Sequence, residues 1–109
     1  MLLIVAVVPP GHAQTIGAGG VTNASTSDYI LNGNVTLSAN QTWNAQNGKI
    51  LEFGTINGNG KALTVTGAYN TTLSGVLSNL TYTNGLTKTG SGTLTLAGNN
   101  TFACTVNVQ

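Results

Sequence analysis

The stretch Gly85-Leu86-Thr87-Lys88-Thr89-Gly90-Ser91-Gly92-Thr93-Leu94-Thr95-Leu96-Ala97-Gly98-Asn99-Asn100-Thr101-Phe102 decides how the chain folds. In Thr93-Leu94-Thr95-Leu96 a β-branched polar residue alternates with an aliphatic one. An extended backbone therefore puts Leu94 and Leu96 on one face and Thr93 and Thr95 on the other, the pattern of a half-buried strand. Gly90-Ser91-Gly92 before it and Gly98-Asn99-Asn100 after it supply turns, because Gly and Asn tolerate the left-handed backbone best. The unit is a turn, a short strand and a turn.

Upstream, Val35-Thr36-Leu37-Ser38-Ala39-Asn40-Gln41-Thr42-Trp43 aligns position by position with Leu94 to Phe102, and both end in Asn-x-Thr-aromatic. Between them, Leu63-Thr64-Val65-Thr66-Gly67-Ala68-Tyr69-Asn70-Thr71 repeats the alternation and the polar turn. Further strands are expected at Ile50 to Phe53, Leu73 to Leu77 and Leu80 to Tyr82, with turns at Gly54, Asn57-Gly58-Asn59-Gly60 and Asn84-Gly85. β-Branched residues and Gly interrupt every window long enough for a helix. The class is all-β. Short repeated units cannot bury an apolar face alone but can when stacked, which points to a solenoid. A β-sandwich of hairpins is the alternative, since Asn47-Gly48 and Asn84-Gly85 are hairpin signals.

The chain begins with the apolar run Leu2 to Val8, too short for a membrane span of roughly 20 residues but of the length of a signal-peptide core. Gly11-His12-Ala13 then places small residues where a cleavage site needs them, so cleavage is expected between Ala13 and Gln14. Residues 1–13 thus read as a leader. Residues 14–27, small and polar with no apolar periodicity, read as a flexible lead-in, and residues 28–109 as the solenoid segment, truncated at its C-terminus.

Only 5% of the 109 residues are charged and the net charge is +1, while Gly, Asn, Ser and Thr fill about half the positions. Lys49, Lys61 and Lys88 are too scattered to form a phosphate-binding patch, so nucleic acid is not an expected partner. The single Cys104 excludes an internal disulfide and any Cys-rich zinc site, and reads as a small, buried side chain in preference to a reactive thiol.

Asp28 and Glu52 are the only carboxylates a glycosidase could use, and they read instead as a turn-forming Asp and a solvent-facing Glu between Leu51 and Phe53. His12 falls in the leader, so no triad or metal centre is expected. Gly58-Asn59-Gly60-Lys61 brushes against a phosphate-loop pattern, but Ala62 stands where Ser or Thr is required, and a turn is the better account. Calcium-binding solenoid repeats need an Asp in each copy, and Asp28 is alone. No enzyme and no cofactor are expected. Asn-x-Ser/Thr triplets begin at Asn23, Asn34, Asn40, Asn70, Asn79 and Asn99, where corner amides can bond along a stack. Trp43, Tyr69, Tyr82 and Phe102 read as core fillers or as an exposed sugar-stacking stripe.

The run from Leu86 to Phe102 resembles the autotransporter-associated β-strand repeat, also called the passenger-associated transport repeat. The residues that carry the resemblance are Leu86, Thr87, Lys88, Gly90, Gly92, Thr93, Leu94, Thr95, Leu96, Gly98, Asn100, Thr101 and Phe102. The resemblance implies a segment of the right-handed parallel β-helix of a bacterial type V secretion passenger, exported to the cell surface, where the repeat supports passenger folding and transport. The family continues with Gly-Gly-Thr-Thr and another strand, whereas Ala103 to Gln109 depart from that pattern. Membrane strands of roughly 9–11 residues are missing, so a translocator β-barrel encoded elsewhere or lost is the implied partner. The alternative function is an adhesin-type binding module recognising glycans or host surfaces. Residues 14–109 alone are expected to aggregate or fold weakly, because repeat arrays rely on capping units.

Overall fold

Bursts of two to four residues that alternate apolar with polar side chains, each closed by Gly or Asn, make strands just long enough to form one wall of a coil. A computed structural model describes residues 14–109 and shows this pattern wound into a parallel β-solenoid of about five turns. In chain order the strands are β1 (Gln14–Ile16), β2 (Val21–Thr22), β3 (Tyr29–Leu31), β4 (Val35–Leu37), β5 (Gln41–Asn44), β6 (Ile50–Glu52) and β7 (Ile56–Asn57). They continue with β8 (Leu63–Thr66), β9 (Thr71–Leu73), β10 (Leu77–Ser78), β11 (Leu86–Lys88), β12 (Leu94–Leu96) and β13 (Val106–Val108). The first sheet has the order β1-β4-β7-β10, the second β13-β11-β8-β5-β2 and the third β12-β9-β6-β3. Each of the first four turns lays one strand on each sheet, and β13 begins a fifth on the second sheet.

Register sets the repeat. On the first sheet Gln14, Val35, Ile56 and Leu77 stack at steps of 21 residues, and the other sheets step by 20 to 23. All described pairings are parallel, so the hairpin sandwich is not formed. Asn47-Gly48 and Asn84-Gly85 instead turn corners, the first from β5 to β6 and the second from β10 to β11.

The three look-alike copies that begin at Val35, Leu63 and Leu94 start β4, β8 and β12, one on each sheet. They are not stacked on one another. Their likeness reflects the demand every wall makes for the same corner, strand and corner, displaced each time by one turn and one wall.

Residues 14–27 are part of the coil and not a flexible lead-in. β1 pairs with β4 and β2 with β5, burying Ile16 and Val21. Buried Asn23 ties this turn to the next, donating from Nδ2 to the carbonyls of Ser27 and Lys49, each at 2.8 Å, and accepting from Ser25 N–H at 3.0 Å. The partners that order this stretch lie a turn away in sequence, which is why local pattern alone missed it. The leader expected over residues 1–13 lies outside the described residues, and Gln14 opens β1.

Inward positions form columns along the coil. On the third sheet these are Tyr29, Ile50, Thr71 and Leu94, and beside them Leu31, Glu52, Leu73 and Leu96. On the second sheet Val21, Trp43, Val65, Lys88 and Val108 stack. Each fully buried aliphatic side chain contributes about 1.5–3 kcal/mol, so these columns are the main source of stability. Trp43 is fully buried, and its indole Nε1 donates to Gln41 Oε1 at 2.8 Å. Gln41 Nε2 in turn donates to the carbonyls of Ile16 (2.9 Å) and Ala39 (3.0 Å), so the buried polar atoms of the pair are satisfied.

The corner from the third sheet to the first is a column of glycines, Gly33, Gly54, Gly75 and Gly98. A Cβ on Gly54 would run into the carbonyl of Gly33, one on Gly75 into that of Gly54, and one on Gly98 into that of Gly75. Asparagines bridge the turns, but chiefly by bonding backbone and not as a ladder of stacked amides; Asn79 Nδ2 to Asn57 Oδ1 at 3.1 Å is the amide-to-amide bond between turns among the described residues. Asn34, Asn40 and Asn70 each accept, through Oδ1, the backbone N–H of a residue one turn on: Thr55 (3.0 Å), Ala62 (2.9 Å) and Thr93 (3.0 Å).

Candidate functional site: the motif turn and its open mouth

The residues that carry the family resemblance build the last full turn of the coil. Leu86 is buried on β11, in register between Leu63 and Val106. Leu94 and Leu96 on β12 are half-buried, continue the columns above Thr71 and Leu73, and pack against the core. Thr95 between them is exposed, and Thr93, just before the strand, also faces solvent. Gly90 adopts a positive φ of 79° and rests on Gly67, Gly92 rests on the Tyr69 carbonyl, and Gly98 tops the glycine corner. Asn100 Oδ1 accepts the Leu77 N–H at 2.8 Å, and Thr101 N–H donates to the Leu77 carbonyl at 3.1 Å, so the chain continues across the first sheet above β10 without regular strand geometry. Phe102 is half-buried against the core.

Above this turn the interior opens in a hollow of about 400 Å³ walled by Leu86, Leu94, Leu96, Val106 and Val108, with Lys88 at its rim. Lys88 Nζ donates to the carbonyls of Thr89 (2.6 Å) and Gly90 (3.1 Å), which holds its charge against the corner rather than over the apolar floor. Thr87 stands outward on β11, half-buried. Among the described residues, β12 and β13 have no strand above them. Such a mouth offers backbone hydrogen bonds and an apolar floor to a further parallel strand. Among the residues that line it, Lys88 alone carries an ionisable side chain. Cys104, half-buried behind the turn, has its thiol pushed up by burial against opposing backbone hydrogen bonds from Leu86, Cys104 and Gly85.

The two carboxylates are not brought together at one accessible surface. Asp28 is exposed ahead of β3, whereas Glu52, read from the sequence as solvent-facing, is 0% exposed. The strand pattern explains the correction: Glu52 is two residues after Ile50, and both take the inward positions of β6 while Leu51 faces out. Burial pushes its carboxyl up to about 7, against the lowering effect of the Gly54 and Phe53 backbone N–H groups. Gly58 to Lys61 is a turn, closed by Lys61 N–H to the Gly58 carbonyl at 2.8 Å, with positive φ at Asn59 and Gly60. No cluster of three or more metal-ligating side chains occurs among the described residues. Of the aromatics, Trp43 is a core filler, Tyr69 and Tyr82 are exposed at different corners, and no continuous stripe links them.

The geometry defines the class as a parallel β-solenoid, in which β12 and β13 are the outermost strands among the described residues. The passenger-associated-transport-repeat family matches residues 86–104, which is this motif turn and the start of the next, and associates it with autotransporter passengers. No curated protein and no solved structure gives a significant match.

Proposed function

We propose that this chain is a structural segment of an exported autotransporter passenger, whose motif turn supports passenger folding and transport to the cell surface. The observation that carries the reading is the coincidence of the matched repeat with the turn that walls the open mouth. A strand arriving above β12 and β13 meets preformed edges and an apolar floor, so each completed turn templates the next. Folding that proceeds turn by turn on the far side of a membrane resists backsliding of the chain, because every added turn must be undone before the chain retreats. The role calls for no catalysis and no cofactor. A translocator β-barrel is the expected partner.

The test fuses the full chain ahead of a translocator barrel in a Gram-negative host and measures the fraction open to external protease. Intact chain is expected at the surface, and Gly98→Ala or Leu94→Asp is expected to hold it inside the cell. Equal surface fractions for all three would overturn the reading. A second reading, an adhesin-type module for glycans or host surfaces, draws on Tyr82, which is 78% exposed beside a shallow groove formed with Gly60, Asn79, Leu80 and Thr81. Saturable binding on a glycan array that Tyr82→Ala abolishes would favour it.

A further inference from the structure

The interior of the third sheet holds a residue that the rest of its column excludes. Leu31, Glu52, Leu73 and Leu96 stand in register, and Glu52 is as thoroughly buried as Leu31 and Leu73 on either side. Its Oε1 accepts a hydrogen bond from Gly54 N–H, while Oε2 is buried and has no partner. Gly54 belongs to the tight glycine corner between Gly33 and Gly75, so the carboxyl reaches water only if that corner opens.

No cation faces it among the described residues. From β3 the diagonal neighbour is Tyr29, whose hydroxyl is buried and unpartnered, and from β9 it is Thr71, whose hydroxyl is in the same condition. Lys49, next to β6 in sequence, is exposed. The inner columns of the second sheet carry no ionisable group until Lys88, two strands further up and already engaged with the Thr89 and Gly90 carbonyls. The first sheet turns Val35, Ile56 and Leu77 inward.

We propose that Glu52 is a pH-operated latch: the second turn of the coil closes around it as a neutral acid, and its ionisation loosens that turn. An ionised carboxylate without a cation is costly in an apolar interior, so the group gives up its charge and keeps its proton instead. The rise of its carboxyl to about 7 accords with this. The sign follows from the raised value. The folded chain holds a proton that the unfolded chain releases, so the fold is most stable below the ordinary carboxylate range. It weakens as pH climbs towards about 7 and levels off above it. Across that window the folding equilibrium falls by roughly 300-fold.

Asp28 and Glu52 are the only carboxyl side chains, which makes the infrared spectrum of the full chain a direct test, in solution or in a self-associated state. Near pH 6 the intact chain is expected to show a protonated-carboxyl band that vanishes by about pH 8.5, and Glu52→Gln to lack that band. The β-sheet amide band of the intact chain is expected to melt several degrees lower at the higher pH, with no such shift in Glu52→Gln. Absence of the band in the intact chain, its survival in Glu52→Gln, or equal melting of the intact chain at the two pH values would overturn the proposal.

Discussion

The carbonyl oxygen of Gly54 lies against Gly75, one turn above, so closely that a Cβ on Gly75 would collide with it. Neither residue has a positive φ, so the requirement for glycine here is one of space between stacked backbones and not of torsion. Gly75→Ala must push two turns apart and is predicted to cost about 2–4 kcal/mol. Gly19→Ala, at a position with nothing within 4 Å of a built Cβ, is the matched control and is predicted to change stability by less than about 0.5 kcal/mol. Urea unfolding of the two variants checks the contrast.

Trp43 joins two requirements, filling the core and satisfying Gln41. Trp43→Phe keeps much of the volume but strands Gln41 Oε1 in the interior, for a predicted loss of about 1–3 kcal/mol. Trp43→Ala adds a cavity and is predicted to lose about 3–5 kcal/mol. Circular dichroism melts order the three proteins as intact, Phe, Ala.

Glu52→Leu restores the residue type found at the other three positions of its column. The gain depends on pH because the cost it removes belongs to the charged form. Well above neutrality the variant is predicted to exceed the intact chain by an additional ~3 kcal/mol over its advantage at about pH 4, since a rise from 4.5 to about 7 converts at roughly 1.4 kcal/mol per unit. Chemical denaturation at the two pH values measures the difference.

Open parallel edges at β12 and β13 pair with whatever strand meets them. Residues 14–109 expressed alone are predicted to self-associate, and Val106→Lys with Val108→Lys to raise the monomer fraction by placing charge on the exposed apolar rim. Gel filtration of both proteins provides the comparison, and a cooperatively melting monomer of the unaltered segment would contradict the expectation.

Much of the fold was legible because a solenoid repeats its local chemistry: Leu94-Thr95-Leu96 and its neighbours name a strand, and Gly98-Asn99-Asn100 names a corner. The stacking was harder to read. Val35, Leu63 and Leu94 look alike because every wall uses the same pattern, and their likeness concealed the true step of 21 residues on the first sheet. The stacking is visible in Leu31-Asn32-Gly33, Glu52-Phe53-Gly54, Leu73-Ser74-Gly75 and Leu96-Ala97-Gly98, at steps of 21, 21 and 23 residues, where an inward residue precedes the corner glycine by two. Aligned so, Glu52 falls among leucines, and the residue pattern by itself places it in the interior. The order in residues 14–27 was out of reach of local pattern, because the strands that hold it, β4 and β5, lie a full turn downstream.

The role of the motif turn depends on which residues are stacked, and disulfide trapping tests that directly. In a Cys104→Ser background, Thr64→Cys with Thr87→Cys puts two cysteines in register on β8 and β11, where strands about 4.8 Å apart suit a disulfide. Thr36→Cys with Thr64→Cys places them at matching positions of two look-alike copies that lie on different sheets. Mild oxidation is predicted to close the first pair quickly and leave the second open. Closure of the second pair with the first left open would contradict the stacking and the function built on it.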